Sequence, residues 1–589
     1  MINLNKTLSR FSLIAIALLP LAANAQTDSK AWITKSNSYT KILIDIDEKY
    51  SPEFGSGQGL AFYDTLIAVP TFENIAAARK EKMQALITLK NAKQTETNIA
   101  LKQDLDILIN STEFSFRQED FDLNKKAFYM NATETVFSGL QTLLDDQTPV
   151  ERRAAAIIRL RKYAGLVKGY QPITTILLNR TQKQMQIPGV IYSSKQQIEI
   201  TLSRNASEVN GIEELFKKYQ LTGWEQPFAV VKKQLEDYDA WIKANLLPKG
   251  RTSRLPDEEY QLALEGYGID IPPAQLAKMA HEAFKDIQKQ MKPLAEEIAK
   301  KYNLPSSDYR EVIKYLKKDQ IIGDSIMPLY KRHLADIEAI IRKQQLVTLP
   351  NRPAIIRLAS EAETAQGPAP HMVPPPFLNN TGQRGVFVLP LNMPAATGEK
   401  IDKYDDFTFD AASWTIIAHE ARPGHELQFD KMVEEGVSQA RALYAFNSTN
   451  VEGWGLYSEY ITRPYMPAEG QLVSLDYRLL RAARAFLDPE LQAGITSQEQ
   501  ALALLMKDVV ASHAFAKQEV ERYAVNSPGQ ATSYFYGFTK MIALRKDTEK
   551  ALGDKFNQQR FHDFILSQGI LPPALIREAV MGNFVDKEK

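Results

Sequence analysis

The chain has 589 residues, 44% hydrophobic and 24% charged, and its lysines plus arginines balance its aspartates plus glutamates at 71 each. That length exceeds one ordinary core and calls for two lobes or more, while the neutral balance offers no basic surplus for a nucleic-acid partner. Cysteine is absent, so disulfides and thiolate ligands are excluded and any metal site must use His, Asp or Glu.

In chain order, Lys6 and Arg10 precede the apolar run FSLIAIALLPLA, which ends at Ala23-Asn24-Ala25. This is the charged, apolar and small-residue order of a cleaved secretory signal, and the run is too short to span a bilayer comfortably. Cleavage is expected after Ala25, leaving a mature chain from Gln26 with a net charge of about −2, since Lys6 and Arg10 are lost. There is no cysteine at that site to carry a lipid, and no later stretch approaches 18 apolar residues. The expected location is therefore periplasmic or secreted, with no stable membrane anchor after cleavage.

GSGQG at 55–59 lacks the lysine and spacing of a phosphate loop and reads as a flexible turn. Residues 147–165 read as a helix with Pro149 in its first turn, and 272–302 as a long amphipathic helix that Pro293 is expected to kink or divide. His281-Glu282 has no second histidine nearby and reads as surface helix. The proline-rich QGPAPHMVPPP at 366–376 suits neither a helix nor a central strand. It is taken as the boundary between a mainly helical N-terminal lobe, 26–365, and a C-terminal lobe, 366–589. The strand signal GVFVL at 385–389 suggests a small β element able to pair with an extended peptide.

The segment HEARPGHELQ at 419–428 begins like the zinc-protease motif His-Glu-x-x-His, yet its second histidine is six positions on instead of four. On a regular helix six steps leave side chains about 120° apart and about 9 Å displaced, too far for two imidazoles to share one ion. Pro423 removes a helix hydrogen bond and Gly424 tolerates unusual dihedrals, so a local bulge is expected to swing His425 back toward His419. A hydrolytic zinc ion takes three protein ligands and keeps one position open. Glu452, on a second helix in NVEGWGLYSE, is the candidate third ligand, and Glu420 the candidate general base. The alternative reading is a capped helix end with exposed histidines.

HEARPGHELQ, VEGWGLYSEY, RLLRAARAFLDPEL, VERYAVNSPGQATSY and ALGDKFNQQRFHDFILSQGILPPALIREAV together resemble the domain of unknown function 885 family, which is placed with gluzincin-type zinc metallopeptidases. The resemblance covers roughly 245–580, reaching back through LLPKGRTSRLPDEEYQLALEGYGIDIPPAQLAKMAHEAF. It implies a mainly α, two-lobed zinc-metallopeptidase-like fold of the neurolysin and angiotensin-converting-enzyme type, with a small β element near the active site. By position, His419, His425 and Glu452 match the family's ligands and Glu420 its base. Glu459, seven positions after Glu452 on nearly the same helix face, is either a rival ligand or a partner orienting a histidine.

Tyr534 matches a recurring tyrosine, readable as an oxyanion donor or as a packed aromatic. Arg478, Arg481 and Arg484 recur three apart, and the family pattern has the equivalents of Arg481 and Arg484. That face reads as a clamp for a substrate carboxylate or as structural ion pairs. Family members often read Asp-x-Gly-Leu-His where this chain has Asp488-Pro489-Glu490-Leu491-Gln492, so an assisting histidine is missing.

The expectation is thus an exported Zn2+-dependent hydrolase, most readily a peptidase on small peptides. The alternatives are an amidase on a cell-wall fragment or modified amino acid, and a non-catalytic periplasmic binding protein of the same fold.

Overall fold

The computed structural model describes residues 19–321, 323–360, 363–364, 369–389 and 404–589, with side chains from residue 31 onward except at 324. Most of the expected signal segment, including Lys6 and Arg10, lies outside the described residues. Among them no helix is long and apolar enough to cross a membrane.

The chain is mainly helical with one small sheet. Helices Leu19–Tyr50, Phe72–Thr95 and Ile99–Lys125 share an apolar core around Leu43, Leu89, Leu105 and Leu108. The helices between Ala132 and Asn245 share a second, centred on Phe137, Leu160, Ile212 and Phe216. Starts are chemically marked: Thr71, Asn98, Asn131 and Ser194 each accept a first-turn amide with their side chains, meeting donors that otherwise lack helical partners.

The third and largest core holds the helices that carry the candidate site. In chain order these are α1 (Pro273–Lys301), α2 (Ile326–Gln344), α3 (Asp410–Glu420), α4 (His425–Lys431), α5 (Ser448–Thr462), α6 (Ala468–Ala493), α7 (His513–Glu521) and α8 (Thr532–Leu552). Their apolar residues form one continuous cluster, so the packing does not part at residue 366, where the proline-rich stretch suggested a boundary. Helices α1 and α6 pack along each other, as do α5 and α8. The second pair approaches so closely that a Cβ on Gly537 would lie 1.9 Å from the Thr449 carbonyl oxygen, and one on Gly453 2.6 Å from Gly537 backbone. Only glycine permits that crossing, which brings Glu452 and Tyr534 to one place.

Three sequence expectations need correction. Helix α1 runs through Pro293 without dividing; Pro293 and Lys289 are both exposed, so the carbonyl that proline leaves unpaired can bond to water. GSGQG is a turn only at Gln58 and Gly59: Gly55–Gly57 belong to the short helix Pro52–Gly57, with Gly55 and Ser56 buried and the Ser56 hydroxyl bonded to Asp64 at 2.8 Å. The predicted helix 147–165 is interrupted at Ala154 into Val150–Arg153 and Ala155–Tyr163.

The sheet comprises β1 (Ile355–Leu358), β2 (His371–Val373) and β3 (Val386–Leu389), in the order β1-β3-β2. β3 pairs in parallel with β1, Ile355 opposite Val386, and antiparallel with β2, Met372 opposite Phe387. It is therefore the central strand and wholly buried, so its backbone is not free to receive a substrate peptide as expected. The Gly385 amide donates to Asp430 of α4 at 2.6 Å, fastening the sheet beside the candidate site.

Candidate metal centre

Nine residues of α3, from Ala411 to His419, are buried, and the helix stops at Glu420. The intervening turn contains a cis Arg422–Pro423 peptide, and α4 starts at His425. The expected bulge inside one helix is therefore two helices joined by a tight turn. Gly424 is obligatory there, because a Cβ would fall 1.8 Å from the His419 carbonyl oxygen. The turn is held from both sides. The buried Arg422 guanidinium donates to Glu426 at 2.9 Å and to the Arg352 carbonyl at 3.0 Å, and also pairs with Glu338. Across from it, the Trp454 indole donates to the Pro423 carbonyl at 2.9 Å, so the Glu-Gly-Trp element is tied to the HEARPGH turn.

The result is convergence. The imidazoles of His419 and His425 stand at 88° with ring centres 4.7 Å apart. Glu452 Oε2 lies 3.4 Å from His419 Nε2 and 3.5 Å from His425 Nε2. Both separations are too long for good N–H···O bonds, which cluster at about 2.9–3.0 Å. They match the spacing of about 3.3–3.4 Å between ligand atoms arranged tetrahedrally about an ion at 2.0–2.1 Å. The donor set fits a zinc-like cation. Atoms of His419, Glu420 and His425 all fall within 4.8 Å of one another, so the half-buried Glu420 carboxylate is within reach of the same site.

Glu459 contacts the other nitrogen of His419. One of its oxygens meets His419 Nδ1 at 2.7 Å and the other accepts from the Thr415 hydroxyl at 2.7 Å. It therefore lies on the far side of the ring, where it holds the imidazole with Nε2 turned toward Glu452. His425 Nδ1, by contrast, is buried with no hydrogen-bond partner among the described residues. Backbone of α5 closes the remaining face of His419: a Cβ on Gly455 would lie 2.6 Å from its Cε1 and 2.7 Å from its Nε2.

The electrostatics follow. Burial alone would lower His419, but the carboxylates of Glu452 and Glu459 beside its two nitrogens, with the Glu420 charge, outweigh it and raise the imidazole to about 9. Burial would raise Glu452, yet His419 and His425 hold it well below the usual carboxylate range. A group of this kind holds positive charge firmly, as a proton or as a metal ion.

Tyr534 stacks against His419 at 6.1 Å between ring centres, and its hydroxyl accepts from Arg522 at 3.0 Å. The arginine face has the geometry of ion pairs. Arg484 is spent on a buried bidentate pair with Glu519, at 2.6 and 2.7 Å. Arg481 donates to the Tyr477 carbonyl at 3.2 Å and lies 3.4 Å from Glu459. Arg478 turns away to lie over Phe538. Gln492, where a histidine was expected, accepts from the Leu255 amide and donates to the Tyr523 carbonyl, each at 2.8 Å, which is a joint between segments. Sequence reasoning missed Arg522, although it lies in the quoted VERYAVNSPGQATSY and three residues after Glu519. It also missed the clamping roles of Arg422 and Trp454, whose partners are distant in the chain.

Comparison with known proteins places these observations in a family. The model of the family described as "Bacterial protein of unknown function (DUF885)" matches residues 52–580, well beyond the 245–580 legible by motif. Comparison with curated proteins finds no match. Two solved structures share the fold, each with a TM-score of 0.69 and 18% identity. One, described as a "putative lipoprotein of unknown function" from Shewanella oneidensis, is matched over 92% of this chain and 99% of its own. The other, a "putative lipoprotein" from Colwellia psychrerythraea, is matched over 95% and 98%.

Proposed function

The chain belongs to the DUF885 family, and from that premise we propose that it is an exported, zinc-dependent hydrolase of small peptides, with a two-lobed helical fold of the gluzincin type. The observation that carries this reading is the convergence of His419, His425 and Glu452 at cation-ligand spacing, with Glu459 orienting His419 from behind and Glu420 within reach of the same site. A pure binding protein has no use for a carboxylate at the position of Glu420. The lipoprotein descriptions of both similar structures support an envelope or exported location, in keeping with the expected signal segment.

A zinc ion held by these three residues supplies Lewis acidity toward a carbonyl and lowers the pKa of water. The protein's own groups perform the remaining tasks. Glu420 accepts a proton from the attacking water and returns it to the leaving nitrogen. The Tyr534 hydroxyl, anchored by Arg522, donates to the oxygen on which negative charge develops. Glu459 keeps His419 in one tautomer throughout, and burial keeps bulk water from screening these charges.

The test is a comparison of the mature protein with Glu420→Gln, measuring zinc content and hydrolysis of di- and tripeptide mixtures. Both are expected to bind one equivalent of zinc, and only the wild type to release amino acids, faster by at least about 10³-fold. A zinc-loaded wild type inert toward peptides but active on cell-wall amides would shift the substrate class. Equal turnover by Glu420→Gln would remove the assigned base.

A further inference from the structure

Three guanidinium groups surround the ring of Tyr534: Arg481 at 5.8 Å, Arg484 at 4.6 Å and Arg522 at 5.3 Å from its centre. Two carboxylates face them. Glu519 is bidentate to Arg484, also accepts from the Tyr523 hydroxyl at 2.6 Å, and reaches Arg522 at only 3.5 Å. Glu459 is shared between Arg481 and His419. Burial weakens the negative charge of two neighbouring acids on α6. Burial drives Asp476 well above the usual range, and raises Asp488 to about 7 against the opposing bonds from Gly529 and Tyr260.

Of the three guanidinium groups, Arg522 is the least closely paired, its nearest carboxylate being Glu519 at 3.5 Å. Its remaining partners are neutral oxygens, those of Gln530 and Tyr534. Its side chain is 24% exposed, against 6% for Arg484 and 9% for Arg481. It opens the π-helical turn Arg522–Asn526, an irregularity that favours functional positions. A partly buried cation with neutral partners and an accessible edge gains most from an anionic ligand, and guanidinium geometry matches a carboxylate.

We propose that Arg522 is the receptor for a substrate carboxylate, so that this site selects peptides carrying a free carboxyl group within about three residues of the bond to be cut. The proposal rests on the hydrolase reading for the position of that bond, since Arg522 is separated from the metal ligands by the single ring of Tyr534. Arg522 lies 5.3 Å and the His419 ring 6.1 Å from the centre of that ring, a separation that up to about three residues of chain span at about 3.8 Å each. Arg481 and Arg484 act in this scheme as the fixed background charge that Glu519 and Glu459 already occupy. A C-terminal carboxylate and an acidic side chain offer the same chemistry.

The experiment measures binding by calorimetry to the zinc-loaded mature chain carrying Glu420→Gln, which stops turnover. The ligands are Ala-Phe, Ala-Phe-amide, and Ala-Glu-amide, whose carboxylate is on the side chain. At least one of the acids is expected to bind on the order of 100-fold tighter than Ala-Phe-amide, the loss expected when a charged hydrogen-bonding partner is removed. The acid that keeps the advantage identifies the source of the carboxylate. Adding Arg522→Gln is expected to reduce the advantage to less than about threefold with zinc content unchanged, and Arg522→Lys to restore part of it. Equal binding of amide and acids, no binding of any, or an advantage that survives Arg522→Gln would overturn the proposal. Because the readout is binding, an absence of hydrolysis by the wild type would count against the hydrolase reading and leave this result standing.

Discussion

Replacing Gly455 by alanine adds one methyl group to a helix and aims it at a histidine. The new Cβ would sit 2.6 Å from Cε1, 2.7 Å from Nε2 and 3.0 Å from Nδ1 of His419. Ordinary contact begins near 3.4 Å, so the imidazole must retreat by roughly 0.8 Å. It cannot do so freely, because Glu459 holds Nδ1 at 2.7 Å and the His425 ring stands across the site at 4.7 Å. Metal–ligand distances tolerate only about ±0.2 Å, so the displacement removes His419 from good coordination. Zinc affinity should fall at least about 100-fold, or roughly 3 kcal/mol. Helix propensity acts in the opposite direction, since alanine favours a helix interior by about 1 kcal/mol over glycine. The variant should therefore retain its helical circular dichroism. The assay is competition for zinc against a chromophoric chelator, with wild type and Gly455→Ala side by side. Wild-type affinity in a folded Gly455→Ala protein would refute both the placement of the ring and its role as a ligand.

Two further outcomes concern protons. His419, raised to about 9 before a cation enters, carries a proton at neutral pH that a metal must displace. Zinc binding between pH 7 and 8 should release about one proton, and affinity should weaken about tenfold per unit as pH falls below 9; calorimetry in buffers of different ionisation enthalpy measures both, and binding without proton release would contradict the cause assigned. His562 is buried between the Tyr457 hydroxyl and the Leu346 carbonyl, and burial lowers it from 6.5 to about 4. A depressed histidine contributes its full stability above pH 6.5 and loses it as pH falls toward 4, so this group alone costs about 2 kcal/mol at pH 5. Urea midpoints at pH 8 and pH 5 should differ less in His562→Gln than in wild type; an identical difference would show that the ring does not resist protonation.

The helical class was legible because long amphipathic runs and chemically marked helix starts are local signals. At the site, the six-residue spacing of His419 and His425 with Pro423-Gly424 between them showed that a regular helix must fail. It did not show how. A bulge and a pair of separate helices both return His425 to His419, and the difference depends on Arg422, whose partners Glu338 and Arg352 are some 70 to 84 residues away. Position in a sheet is likewise non-local, so GVFVL showed a strand without showing that two others flank it. What a Cβ would strike is equally non-local: backbone across the α5–α8 crossing for Gly453 and Gly537, and the His419 ring for Gly455. Arg484 and Arg522 show the same limit: the spacing of arginines is visible in the chain, while the carboxylate of α7 that binds one at 2.6 Å and the other at only 3.5 Å is not.

The most direct measurement is anomalous diffraction from crystals of the mature protein grown with zinc. The account predicts one peak about 2.0–2.2 Å from His419 Nε2, His425 Nε2 and a Glu452 carboxylate oxygen, with Glu459 still bonded to Nδ1. A peak bound by Glu459 in place of Glu452, or none near these imidazoles at saturating zinc, would contradict it.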